Sequence, residues 1–123
     1  MSKHPLNLAI RFGLEIGAIL SFGIWGFRQA DDWLRYLLAI LLPLLFALLW
    51  GVFAVSGDPS RSGKTVVPTP GPIRLILELV LFGGAAWMLI HLGYAKLGWI
   101  FAGLVFLHYA SSYDRIAWLW KQK

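Results

Sequence analysis

Four long apolar runs leave this chain very few ways to fold. They cover about residues 6–27, 33–55, 72–91 and 94–113. Each comes close to the roughly 20 apolar residues with which an α-helix crosses the hydrocarbon core of a bilayer. Between Arg35 and Asp58 there is no Asp, Glu, Lys or Arg at all. Charged residues make up only 14% of the 123-residue chain, too few to cover a water-soluble surface. The pattern predicts one domain, an all-α integral membrane protein with four transmembrane helices. The first run follows Lys3 in the manner of a signal peptide. Arg11 and Glu15 inside it, and the lack of a small-residue cleavage site after it, predict a retained helix instead. Pro43 should bend the second helix, because proline removes a backbone hydrogen bond.

The connections between the runs are unequal. Residues 28–32 (RQADD) and 91–96 (HLGYAK) are short, so the helices pair as two hairpins. Residues 56–71 are rich in Pro, Gly and Ser and read as a solvated linker. Lys3, Arg11, Arg61, Lys64, Arg74, Arg115, Lys121 and Lys123 fall on one side of the membrane, with Arg28, Arg35 and Lys96 on the other. This asymmetry predicts a plasma (inner) membrane protein with both termini and the linker in the cytoplasm. Trp25, Trp33, Tyr94 and Trp99 then mark the outer interface; Trp50, Tyr113, Trp118 and Trp120 mark the inner one. The tail, residues 114–123, mixes aromatic and basic residues and is expected to lie along the inner surface.

Residues 10–15 (IRFGLE) and 73–78 (IRLILE) share Ile, Arg, Leu and Glu in register. Each begins a hairpin, which points to an internal two-helix repeat whose pseudo-twofold would run along the membrane normal. The second and fourth runs show no such match. Three stretches, LNLAIRFGLEIGAI with WGF near the N-terminus, LPLLFALLWGVF in the second run and IRLILELVLFGGAAW in the third, carry a likeness to a known family. On them the chain resembles the YrdB-like small bacterial membrane proteins, a family of unknown function. The resemblance implies a four-helix membrane protein. It implies no activity and transfers no residue roles.

The charged pairs inside the oily runs are the chemistry to explain. Arg11 and Glu15 share one helix face, as do Arg74 and Glu78. The arginines can snorkel, but each glutamate lies about 6 Å deeper than its arginine at 1.5 Å per residue. An unpaired carboxylate at that depth costs about 3 kcal/mol, so each must pair, hydrogen-bond or carry a proton. Pairing across the repeat, Arg11 with Glu78 and Arg74 with Glu15, would clamp the first helix to the third. His108, Ser111, Ser112 and Arg115 form one stripe of the fourth helix at the same end. The expected buried polar cluster is therefore Arg11, Glu15, Arg74, Glu78 and His108, with Ser111 and Ser112 beside it. Gly13 and Gly17, on the far face of the first helix, and Gly83, opposite Arg74, are expected to pack against other helices or a second subunit.

Other chemistries fit poorly. The net charge of +5 is dispersed and forms no nucleic-acid patch. Residues 57–65 (GDPSRSGKT) resemble a phosphate-binding loop, but five residues rather than four precede the Gly-Lys pair, so no nucleotide is expected. There is no Cys, and His4, His91 and His108 are dispersed, so no metal and no cofactor are expected. Ser112, His108 and Asp114 are neighbours on one helix without the geometry of a catalytic triad, so no catalytic residue and no enzyme activity are expected. The reading that remains is a scaffold or accessory protein, partnered by the bilayer and by a second copy or another membrane protein. Its cluster would be a structural clamp. The alternatives are a small proton-coupled transporter or channel-like oligomer using Glu15 and Glu78, and an anionic-lipid-binding protein using Arg11, Arg74 and Arg115.

Overall fold

The computed structural model describes residues 5–55 and 67–122. Its elements, in chain order, are α1 (Pro5–Phe27), α2 (Leu34–Val52), β1 (Phe53–Ala54), β2 (Val67–Pro68), α3 (Gly71–His91), α4 (Ala95–Ser111) and α5 (Tyr113–Lys121). The described residues are all-α apart from one short strand pair. Among the described residues three helices, α1, α2 and α3, are long and apolar enough to cross a membrane. Most of the linker expected at 56–71 lies outside the described residues, as do Lys3, His4, Arg61, Lys64, Lys123 and the loop at 57–65.

The ends of the linker are tied together. β1 and β2 pair in parallel, Phe53 opposite Val67 and Ala54 opposite Pro68, and the Thr69 amide donates to the Ala54 carbonyl at 2.8 Å. Pro70 then caps α3 and a proline occupies its first turn, where the missing N–H has no helical partner to lose. At the other end of α3 the chain turns through Gly93 at φ +93°, a left-handed backbone that glycine adopts without strain. The two short turns at that end are joined by Arg28. Its guanidinium donates to the Leu92 carbonyl at 3.1 Å and to the Tyr94 hydroxyl at 2.8 Å.

α1 and α3 pack side by side. α2 lies against α1, α4 lies against α3 and touches α1, and α5 folds back under α3. The core between them is aromatic: Phe82, fully buried, lies 5.0 Å from the Trp50 ring, 6.0 Å from Phe101 and 6.3 Å from Tyr109. Phe46 is the buried residue of α2, while Leu37, Ile40, Leu41, Leu44, Leu45 and Leu48 of the same helix are exposed. An exposed leucine face of this kind is costly in water and natural in lipid.

Close helix contact is made by glycines, though not by all those expected. Gly26 backs onto the Leu38 carbonyl: a Cβ there would sit 2.6 Å from that oxygen. Gly23 backs onto the Ala39 carbonyl, the one that Pro43 leaves without its helical donor. Gly98 is similarly pressed against Ile90 and the Ala86 carbonyl. Of the three glycines expected to pack, Gly17 meets the Phe101 ring of α4, while a Cβ at Gly13 or Gly83 would meet no atom within 4 Å. Gly26→Ala should therefore destabilise the α1–α2 hairpin by about 1–3 kcal/mol. Gly13→Ala and Gly83→Ala should stay within about 1 kcal/mol of the parent, or gain slightly from helix propensity. Thermal unfolding in a mild detergent reads all three.

The fourth run differs most from its expected form. It ends as α4 at Ser111, Ser112 leaves helical geometry at φ −103°, ψ 31°, and the remaining residues form a separate helix. The tail is thus not simply a surface strip. Arg115 and Leu119 of α5 are buried, and the Gly71 amide at the start of α3 donates to the Gln122 carbonyl at 2.5 Å. Gly71 also abuts the backbone of Leu119 so closely that a side chain there has no room. Asp114 in the first turn of α5 and Lys121 in its last suit the helix dipole.

Candidate functional site

Arg11 and Arg74 stand near the starts of α1 and α3, Trp50 near the end of α2, His108 and Tyr109 near the end of α4 and Arg115 in α5. The antiparallel hairpins carry all of these to one end of the helices. They close around Glu78, which is completely buried.

Glu78 is held by three arginines and a tyrosine. Arg115 is bidentate: Nη1 donates to Oε1 and Nη2 to Oε2, both at 2.9 Å. Arg11 reaches the same two oxygens, Nη2 to Oε2 at 3.0 Å and Nη1 to Oε1 at 3.4 Å. Arg74 Nε donates to Oε2 at 2.8 Å and the Tyr109 hydroxyl to Oε1 at 2.7 Å. A carboxylate has about four lone-pair positions, so these donors saturate it. The planar guanidinium fork is what allows two cations to grip one carboxylate in this way, and lysine could not replace it. Tyr109→Phe removes one of these bonds and should cost about 1.5–3 kcal/mol, the range for hydrogen bonds to charged groups. Urea or thermal unfolding in detergent micelles checks it.

The arginines are themselves supported. Arg74 Nη1 donates to the Trp50 and Phe53 carbonyls at 2.6 Å each, satisfying the frayed end of α2. Both guanidinium groups also lie over the Trp50 ring, with Arg74 Cζ 4.6 Å and Arg11 Cζ 5.1 Å from its centroid. These are cation–π contacts in a desolvated setting, where they are strongest. Arg11 Nη1 also meets His108 Nε2 at 3.4 Å. Arginine can only donate, so Nε2 accepts and the ring proton sits on Nδ1. That proton points to Asn7 Oδ1 at 2.7 Å, and the Asn7 amide in turn donates to Ser112 Oγ at 2.7 Å. The chain from Ser112 to Glu78 is thus consistent with a neutral imidazole.

The expected residues are distributed unevenly over this site. Arg11, Arg74, Glu78, His108 and Ser112 come together. Ser111 does not join them; its hydroxyl turns back to the His108 carbonyl at 3.0 Å. Arg11 bridges to Glu78 across α1 and α3, whereas among the described residues Arg74 pairs with Glu78 and not with Glu15. Glu15 stands at the edge, with Arg11 Nε at 3.8 Å and a side chain 24% exposed. Asn7, Trp50, Tyr109 and Arg115 belong to the site but were not among the residues expected to build it. Asn7 and Arg115 had a signal in their spacing, at i−4 from Arg11 and on the stripe with His108 and Ser112. Tyr109 and Trp50 read as core and interface aromatics, and only the packing of α2 and α4 brings them in. The described residues contain no group of three or more His, Cys, Asp or Glu side chains that could hold a metal ion.

The comparisons with known proteins agree with one another. The family model described as "Protein of unknown function (DUF2568)" matches residues 9–106, a span that holds every residue of the cluster except Asn7, His108, Tyr109, Ser112 and Arg115. The chain is similar to the uncharacterized protein YrdB of Bacillus subtilis (strain 168), with 40% identity over 119 residues, 97% of each chain. No solved structure matches it. The likeness to YrdB is nearly end to end and includes both arginine–glutamate helices, so the chain belongs to the YrdB-like family of proteins of unknown function, DUF2568.

Proposed function

We propose that this chain is a four-span plasma membrane protein that serves as a scaffold or accessory subunit, with both termini cytoplasmic. Its Arg/Glu cluster is a structural clamp in the cytoplasmic leaflet. α4, at 17 residues, is at the lower limit of about 17–25 residues for a spanning helix, and the short turn at Gly93 returns it alongside α3. The observation that carries the clamp is the state of Glu78. It has no exposure and every acceptor position is filled from α1, α3, α4 and α5. A carboxylate so enclosed offers no room for a substrate and fixes the register of four elements at once.

The same geometry weighs against the other readings. A transporter working through Glu78 would have to break three ion pairs in each cycle. An anionic head group would have to displace Glu78 to reach Arg11, Arg74 or Arg115, whose exposures are 5%, 3% and 3%. The test is to reconstitute the protein in liposomes and, in parallel, to cross-link it in its native membrane. The scaffold reading expects proton and solute flux no higher than in empty liposomes, together with a cross-linked partner of fixed stoichiometry. Flux that depends on Glu78 would overturn it.

A further inference from the structure

We propose that Glu15 is a proton-binding carboxyl within the membrane, open to hydrophobic reagents and chemically unlike Glu78. The two glutamates hold matching places four residues after an arginine, yet their surroundings differ. Glu78 is sealed by three arginines and a tyrosine, while Glu15 keeps 24% of its side chain accessible. Its nearest cation is Arg11, whose Nε stands 3.8 Å away, beyond hydrogen-bonding distance. Both Nη atoms of that same guanidinium are already committed to Glu78, and Nη1 also meets His108. Arg74, across on α3, spends its guanidinium on Glu78 and on two backbone carbonyls. The remaining neighbour is the indole of Trp50 from α2, a neutral donor. Glu15 thus sits among Arg11, Arg74, Glu78 and Trp50 with no cation matched to it alone.

Its depth sharpens the point. Glu15 lies ten residues in from Pro5, about 15 Å along α1 at 1.5 Å per residue. The hydrocarbon core is about 30 Å thick, so the carboxyl lies inside it, in the same leaflet as the Glu78 cluster, when α1 spans the bilayer. A polar group at this depth marks an ion or proton site more often than a passive one. Taking up a proton cancels its charge and gives it an O–H donor. Releasing the proton restores the pairing with Arg11. The Glu78 clamp remains closed in both states, so this site is separate from it and depends only on α1 crossing the membrane.

Dicyclohexylcarbodiimide, which partitions into apolar phases, is the probe. A protonated carboxyl adds across one C=N bond of the reagent. The proton goes to nitrogen and the carboxyl oxygen to the central carbon, giving an O-acylisourea. Its acyl group then migrates to nitrogen as a stable N-acylurea, and no group leaves. The wild-type protein in liposomes is labelled over a range of pH, and its peptides are weighed by mass spectrometry. The exposed Asp31 and Asp32, labelled with a water-soluble carbodiimide, serve as the reactivity control. The expected result is adduct at Glu15, none at Glu78, progressive loss of the Glu15 adduct as pH is raised, and its complete loss in Glu15→Gln. No adduct at Glu15 while the control aspartates react would overturn the proposal. So would equal labelling of Glu78 in the folded protein. The first result leaves the Glu78 clamp untouched, whereas the second would contradict the clamp as well, and the stability of Glu78→Gln tests the clamp on its own.

Discussion

Glu78→Gln should lower stability by about 3–5 kcal/mol, the range for removing one partner of a buried ion pair. The substitution keeps the shape of the side chain and takes away its charge. Arg11, Arg74 and Arg115 would then face one another across a buried amide that can accept only at one end and must place two donors among donors. Most of the loss would come from three uncompensated cations rather than from the bonds themselves. Glu15→Gln should cost no more than about 1 kcal/mol, because its ion pair is long and half-open. Thermal unfolding in mild detergent separates the two variants. A large asymmetry is expected between residues that look equivalent in the sequence.

The second large effect is expected from ending the chain after Ser112. This removes Arg115, one of the two bidentate grips on Glu78. It also removes Leu119, which is fully buried, and the Gln122 carbonyl that accepts from Gly71. Loss of a buried leucine alone costs about 2–5 kcal/mol. Loss of the Arg115 bonds adds about 1.5–3 kcal/mol for each hydrogen bond to charge, reduced because Arg115 also repels Arg11 and Arg74. The truncated chain should fail to survive extraction at temperatures the parent tolerates. Arg115→Met, which keeps α5 and its leucine, should fall between the two. Size-exclusion profiles after heating steps would rank all three.

Much of this arrangement was legible in the sequence. The apolar runs at 6–27, 33–55 and 72–91 become α1, α2 and α3 with ends shifted by a few residues at most, because length and hydrophobicity alone decide such helices. The convergence of Arg11 and Glu78 follows from the demand that a buried carboxylate find a cation. The choice between the two glutamates did not follow, because IRFGLE and IRLILE carry the same signal. The difference is made by partners from outside the repeat. Tyr109 and Arg115 arrive at Glu78 from α4 and α5, and Glu15 has Trp50 in their place. The break at Ser112 was hidden for a related reason. Nothing local ends the helix there, and the turn is fixed by contacts far away in sequence, from Ser112 to Asn7 and from Arg115 to Glu78. Gly13 and Gly83 meet no other helix of this chain, and a glycine on an outward face leaves the same mark in the sequence as one facing a neighbouring helix.

The central claim is that one buried carboxylate ties α1, α3, α4 and α5 together. A double-mutant cycle between Glu78→Gln and Arg115→Met, read by thermal unfolding in one detergent, tests it most directly. The account predicts strong coupling, on the order of 1.5–3 kcal/mol, because once Glu78 loses its charge a neutral residue at 115 should relieve repulsion rather than break a bond. Additive losses, with a coupling near zero, would mean that Glu78 and Arg115 stabilise the protein independently and that the clamp does not exist.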